Sequence, residues 1–286
     1  MVKSHLSYFS IKVVIIMNVF GKSFEFNGVL SDRYDVILCS FNTIDNNRSN
    51  GISYKISKGN ITENRTSPNF YGKSYGNVLE FQMEICKNCG ENKFFTTEEQ
   101  IEIIRWITSP YDYRKFKIID NVGDYYHDGI EYFCICTDYN ETVINGHISG
   151  MSFKFECNAP YGFYEEQITE FTATTSTPSS VIVNNLSDEI EEDYYPIIEL
   201  EAQEKCDVTI VNSMYPDEIM ELKILDGQVL EIDNMESDIS DNFNMFNYNT
   251  DTNLCWLRLA PGENIITITG DVTGYIKCLY PRKAGI

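Results

Sequence analysis

Apolar and polar positions alternate along most of the chain with a period of two, and in one place with a period near 3.6. Residues 76–86 (GNVLEFQMEIC) set Leu79, Phe81, Met83 and Ile85 against Val78, Glu80, Gln82 and Glu84. Successive strand side chains point to opposite faces, so this pattern predicts a strand with one wet face. Residues 23–32 (SFEFNGVLSD) alternate and then turn at Asn27-Gly28, a pair suited to a hairpin. Residues 34–41 (YDVILCSF) are nearly continuous in apolar character and predict a strand buried on both faces. Three more strands are expected over 115–120 (KFKIID), 131–139 (EYFCICTDY) and 146–158 (GHISGMSFKFECN). Residues 45–77, polar and rich in Asn, Ser, Gly and Lys, predict a long loop or arm.

The helical period belongs to residues 94–110 (FFTTEEQIEIIRWITSP). Thr96 with Glu99, or Thr97 with Gln100, forms a capping box. Glu98 and Glu99 lie where the helix dipole favours negative charge. Ile103, Trp106 and Ile107 make one stripe with Ile101 and Ile104 beside it, and Pro110 stops the helix near Thr108. Trp106 is expected as a core anchor. The second half returns to alternation over 195–203, 206–212, 219–225, 228–233, 254–260 (LCWLRLA), 264–270 and 274–280. Turns fall at Asp226-Gly227, Pro261-Gly262 and Gly270-Asp271. Strands at roughly ten-residue spacing without a helical period predict a β-sandwich or jelly roll. "NAPYGFY" (158–164) breaks the strand pattern and "TATTSTPSS" (172–180) is small and polar, so two domains are expected with the boundary in or near this interval.

Charge strengthens that division. The 286 residues carry 22 Lys+Arg and 43 Asp+Glu, a net −21. Residues 1–165 hold 16 basic and 20 acidic side chains, and residues 166–286 hold 6 and 23. This balance argues against a simple phosphate-binding surface. The acidic runs 187–193 and 233–241 are expected as solvated loops. The apolar burst at 13–17 is too short to span a membrane, which needs about 20 apolar residues. The first 16 residues are expected to be an unstructured extension, with Met17 as the natural start.

Candidate chemistry is sparse. Nine cysteines lie without a disulfide framework, which suits free, mostly buried thiols. Cys86 and Cys89 form a CxxC, and Cys134 with Cys136 could complete a four-thiolate zinc site. The competing reading packs Cys134 and Cys136 as small hydrophobes, and no metal is expected. His5, His127 and His147 fall in no hydrolase motif. "DNNRSNG" (45–51) hints at a calcium loop, but its glycine is one place late. No catalytic or cofactor-binding residue emerges, and no cofactor is expected.

Several segments together resemble the distal tail protein (Dit) family of long non-contractile-tailed phages. "FEFNGVLSDRYDVILCSF" resembles that family's opening. "NFYGKSYGNVLEFQMEIC" followed by the 94–110 helix and "YDYRKF" resembles its central block. "GMSFKFECNAPYGFYEE" resembles the strand closing its first domain, and "LAPGENIITITGDVTGYIKCLYPRKAGI" its C-terminal strands and basic tail. The first 16 residues and Cys89 have no counterpart in the family. The resemblance implies a mainly β structural protein. Its N-terminal domain (17–165) would be a sandwich- or barrel-like ring former with one helix, and its C-terminal domain (166–286) a galectin-like β-sandwich. It implies a homo-hexameric ring at the tail tip, joined to the tail tube protein and to tail-tip, tail-fibre or receptor-binding proteins. DNA would meet the protein only in passage, and no membrane insertion is implied. Such a protein would be made and assembled in the host cytoplasm and reside in the virion. The alternative is a carbohydrate-binding module protein, with the C-terminal sandwich reading sugar through Trp256 or a tyrosine.

Overall fold

The structure is a computed structural model and describes residues 23–39, 52–59, 67, 69–88, 94–119 and 129–283. The expected extension at 1–16, Met17, His5, His127, Cys89 and the 45–51 loop lie outside these residues. The fold is mainly β with one α-helix among the described residues. The chain divides into two compact units between Gly162 and Phe163.

The first unit contains β1 (Ser23–Phe26), β2 (Val29–Leu30), β3 (Val36–Leu38), β4 (Tyr54–Lys58), β5 (Phe70–Tyr75), β6 (Glu80–Lys87), α1 (Thr97–Thr108), β7 (Arg114–Ile119), β8 (Ile130–Ile144) and β9 (His147–Cys157). Its main sheet is antiparallel, in the order β2-β1-β7-β8-β9-β6-β3. β1 and β3 also touch, so the sheet curls towards closure as a barrel-like wall. The alternation that predicted β6 is realised: Phe81, Met83 and Ile85 are buried while the intervening residues are half-exposed. The core is built on phenylalanine, with Phe81 stacked on Phe155 at 5.1 Å and Phe116 packed against Phe24 at 5.8 Å. Asn27 and Gly28 take φ of 51° and 74°, the left-handed pair that a tight hairpin turn requires.

The capping box at α1 uses Thr96, whose hydroxyl accepts from Glu99 N–H while the Glu99 carboxylate accepts from Thr96 N–H. Ile103 and Ile107 are fully buried, and Ile104 and Trp106 pack against the same core half-exposed. Trp106 stacks on Tyr34 at 4.9 Å and on Phe24 at 5.6 Å, and its indole N–H donates to Phe26 O at 3.1 Å. One side chain thus ties the helix to β1 and to the 3-10 turn at Ser31–Tyr34.

Among the described residues of 34–41 the strand covers Val36–Leu38 and starts only after Asp35, whose left-handed φ of 52° ends the preceding turn. Within 45–77, expected as a long loop or arm, β4 and β5 pair as an exposed antiparallel hairpin, the arm of the two alternatives.

After β10 (Gly162–Tyr164), the second unit contains β11 (Gln167–Ala173), β12 (Ser179–Asn185), β13 (Ile197–Ala202), β14 (Cys206–Asn212), β15 (Ile219–Ile224), β16 (Val229–Asp233), β17 (Asp238–Asp241), β18 (Gly262–Thr269), β19 (Val272–Cys278) and β20 (Pro281–Arg282). Two antiparallel sheets, β11-β19-β13-β16-β17 and β12-β18-β14-β15, enclose one aliphatic core that includes Ile198, Leu200, Ile210, Leu230, Ile266 and Ile276. This is the β-sandwich expected from the strand spacing.

The stretch 254–260 (LCWLRLA) was expected as a strand and is instead an irregular segment with one isolated bridge, Tyr194 to Leu259. Buried asparagines take the place of a neighbouring strand. Asn234 accepts from Leu257 N–H at 2.7 Å, Asn185 and Asn212 donate to Leu259 O and Arg258 O, and Asn264 bonds both the N–H and C=O of Ala260. Buried backbone polar groups need partners, and a primary amide offers both a donor and an acceptor.

Candidate functional site

The β4–β5 hairpin is the most exposed element of the first unit. All five residues of β4 are exposed, and Ile56, Phe70 and Tyr71 are 63%, 68% and 65% exposed. Its described residues carry Lys55, Lys58 and Lys73 and no acid, in a chain with nearly twice as many acids as bases. Tyr75 packs edge-on against Tyr161 at 5.2 Å, and Lys73 lies 3.4 Å over the Tyr54 ring. A two-stranded ribbon with no buried face gains little from folding alone. Exposed aliphatic and aromatic side chains with lysines among the described residues make it a candidate for protein contact.

In the second unit the outer faces of the two sheets differ. The five-stranded sheet presents Glu170, Glu199, Glu201 and Glu231 outward. Glu170, Glu199 and Glu201, with Thr172, Thr273 and Tyr275, line an open recess of about 450 Å³. Lys277 reaches Glu199 at 3.4 Å, and the hydrogen bond to Glu199 raises the Tyr275 hydroxyl above its ordinary pKa. The four-stranded sheet presents Ser180, Ile182, Thr209, Val211, Ile265 and Thr267 outward, with its charged positions Asp207, Glu221, Lys223 and Glu263 around them.

The acidic run 187–193 is not merely solvated. Asp188 pairs with Arg282 at 3.2 Å, Glu189 with Lys283 at 2.9 Å and Asp193 with Arg258 at 2.9 Å. Arg258 also grips Glu218 with two nitrogens and lies 4.0 Å over the Tyr215 ring. Tyr215 donates to Asp193 at 2.6 Å, and that hydrogen bond pushes its hydroxyl up to about 12. These carboxylates fasten loops and are not free for acid–base work.

The cysteines do not converge as a four-thiolate site would require. Cys86 lies opposite Gly150 of β9, whereas Cys136 lies opposite Phe155 and Cys134 opposite Cys157. At about 3.3 Å per residue, the rows of Cys86 and Cys136 are roughly 16 Å apart along β9. Cys134 and Cys157 are buried in the core as small hydrophobes. Burial pushes the Cys134 thiol well up and raises Cys136 to about 11, so both stay protonated near neutrality. Among the described residues no group of three or more His, Cys, Asp and Glu is placed to hold an ion. His147 stacks loosely on Phe94 at 5.0 Å. Trp256, the platform that sugar recognition would use, packs half-buried against the second core. No described helix is long and apolar enough to cross a membrane.

Residues 20–159 match the family model of a phage tail protein N-terminal domain, and residues 161–278 match that of a phage tail C-terminal domain. The chain belongs to this phage tail protein family. As a tail protein it is a structural component of the virion. No curated protein matches the sequence. The distal tail fold expected from the sequence is the fold found. The chain is similar to the Dit protein of phage SPP1 with a TM-score of 0.56 at 12% identity, covering 90% of this chain and 98% of that one. That protein is described as a paradigm of the hub adsorption apparatus in phages infecting Gram-positive bacteria. A chain of the phage P2 baseplate in its activated conformation with Ca is similar at a TM-score of 0.48 and 9% identity, covering 87% of this chain and 92% of that one.

The hairpin and the outer face of the four-stranded sheet were not singled out by the sequence. Lys55, Lys58 and Lys73 beside Tyr54, Phe70 and Tyr71 were the available signal for the first. The second depends on which strands become neighbours.

Proposed function

We propose that this tail protein is the hub of the tail tip. In this reading six copies close a ring through their first units (17–165), around the channel by which DNA leaves. The tail tube protein joins one side of the ring. The second units (166–286) stand outward and receive tail-tip, tail-fibre or receptor-binding proteins. The protein acts by assembly and not by catalysis.

The observation that carries this reading is a fold likeness to a hub protein that runs through both units and nearly the full length of each chain. The β4–β5 hairpin supports it: a cationic, apolar arm suits docking onto a neighbouring copy in a net-negative chain. The charge division supports the outward placement, since units carrying 23 acids against 6 bases repel least when they are held apart. Native mass spectrometry of the purified full chain at low and moderate salt tests the ring. A species of six chains is expected; monomers or dimers at every concentration would contradict self-assembly of the ring.

A further inference from the structure

The sandwich of the second unit treats its edges unequally. β15 has its outer edge filled: Lys223 N–H donates to Asp251 O at 2.8 Å, and the Asn253 side chain accepts from Glu221 N–H at 3.1 Å and donates to Ile219 O at 2.8 Å. On β17, the Tyr248 hydroxyl sits 2.6 Å from the N–H and 3.1 Å from the C=O of Ile239. β12, in contrast, pairs only with β18, in an unbroken register from Ser179↔Ile268 to Asn185↔Gly262.

The direction of its free groups follows from its neighbour. Ile265 of β18 donates its N–H to Ser213 Oγ at 3.2 Å and accepts from Ser213 N–H at 2.9 Å. Both of its backbone groups therefore point away from β12. Its cross-strand partner Ile182 must then belong to a non-hydrogen-bonded pair. The N–H and C=O of Ile182, and by alternation those of Ser180 and Asn184, point to the outer edge. Among the described residues none bonds to them. The strand sequence, Ser-Ser-Val-Ile-Val-Asn-Asn, has no charge and no proline, and its register has no bulge. These are the devices by which proteins block pairing at an open edge. Ile182 is 57% exposed beside Ile265 at 40%, and Leu186, just beyond the strand, is 47% exposed.

We propose that the edge of β12 accepts an added β-strand from another tail-tip protein. The incoming segment is extended, aliphatic at the alternate positions beside Ile182, and basic at the end near Asn184. Charge complementarity sets that last feature. Glu263 lies directly across from Asn184, exposed and holding no ion pair among the described residues, in a half of the chain that carries 23 acids against 6 bases. A second copy fits poorly, because it would bring two strongly acidic units edge to edge. Main-chain bonds would supply the affinity and alternate side chains the specificity. The inference rests on the hub reading and names the contact by which the outer unit receives its partner.

Hydrogen exchange read by mass spectrometry, comparing the purified full chain with the same protein in intact phage tails, tests it. The peptide covering 179–186 is expected to exchange on the order of tenfold more slowly in tails, while the peptide over β15 changes little. Tails carrying Ile182→Pro should return 179–186 to the free-chain rate. The ring replaces an N–H that points outward, so no ladder bond is lost and an edge strand tolerates it. Unchanged exchange in tails that contain the protein would overturn this inference and leave the hub reading intact. Protection already present in the purified chain and rising with concentration would make a second copy the occupant and overturn it too. Absence of the protein from tails would overturn both.

Discussion

Truncating Trp106 to alanine should loosen the first unit and leave the second untouched. The indole stacks at 4.9 Å on Tyr34 and at 5.6 Å on Phe24, and donates to Phe26 O at 3.1 Å. Each aromatic pair contributes about 0.5–1.5 kcal/mol beyond its area, and the lost hydrogen bond about 1 kcal/mol. Adding the apolar area, and discounting for a ring that is only half-buried, gives a loss of about 3 kcal/mol. That lies at the low end for a large aromatic replaced by alanine. Trp106→Phe retains most of the stacking and loses the N–H, so it should cost about 1 kcal/mol. The protein contains two tryptophans, and Trp256 lies in the second unit. In Trp106→Ala, urea unfolding followed by the remaining fluorescence reports the second unit, and far-ultraviolet circular dichroism reports both. The expected result is a first transition moved to lower urea with the fluorescence midpoint unchanged. A loss below about 1 kcal/mol would refute the argument that this ring anchors α1. An equal shift in both signals would refute the independence of the two units.

Ile56→Asp combined with Phe70→Asp should leave thermal unfolding unchanged, since both side chains are exposed, yet abolish the oligomer seen by native mass spectrometry; an intact oligomer would remove the β4–β5 arm from the ring contact. Arg258→Ala leaves Asp193, Glu218 and Tyr215 without their shared cation and should destabilise the second unit by about 1–3 kcal/mol in denaturant melts at low salt. That loss should shrink in high salt, because the cluster is partly exposed. On acidification, Asp241 and Glu99 should both contribute to instability. Burial opposes ionisation of each, but backbone N–H bonds from Phe246, Met245 and Phe243 outweigh it at Asp241, as do Lys87 and Thr96 at Glu99, so both carboxyls are held below their ordinary values. The stability they give is present above the unfolded carboxylate pKa values of about 4 and is lost as pH falls through the lower folded values. Melting temperatures of Asp241→Asn and the parent should therefore converge towards pH 2–3.

Local signals in the sequence carried much of the first unit. Thr96 and Glu99 stand three residues apart because the capping box needs that spacing, and the Asn27-Gly28 pair marks a turn that few other residues can make. The β6 alternation could be seen because one of its faces meets a core and the other meets water. Pairing partners were less visible. β4 and β5 are exposed on both faces, so the short Tyr54-Lys55-Ile56-Ser57 alternation in β4 marks no core and reads as part of a loop or arm. Residues 254–260 alternate as a strand would, but Asn185, Asn212, Asn234 and Asn264, distant in sequence, hold that segment in place of a ladder. The open edge of β12 is a property of the strand beside it: the bond from Ile265 to Ser213 decides which way the groups of Ile182 point. The Cys86 and Cys134 rows could be separated only once β9 was known to lie between them.

The claim that this tail protein is a ring-forming hub is tested most directly by electron cryomicroscopy of tail tips from intact phage. The account predicts a sixfold ring at the tip, built from the first units around the channel with the sandwich of the second unit standing outside it. Density for this chain along the tail shaft, at the head-proximal end or in a fibre, or a tip ring built by a different fold, would contradict it.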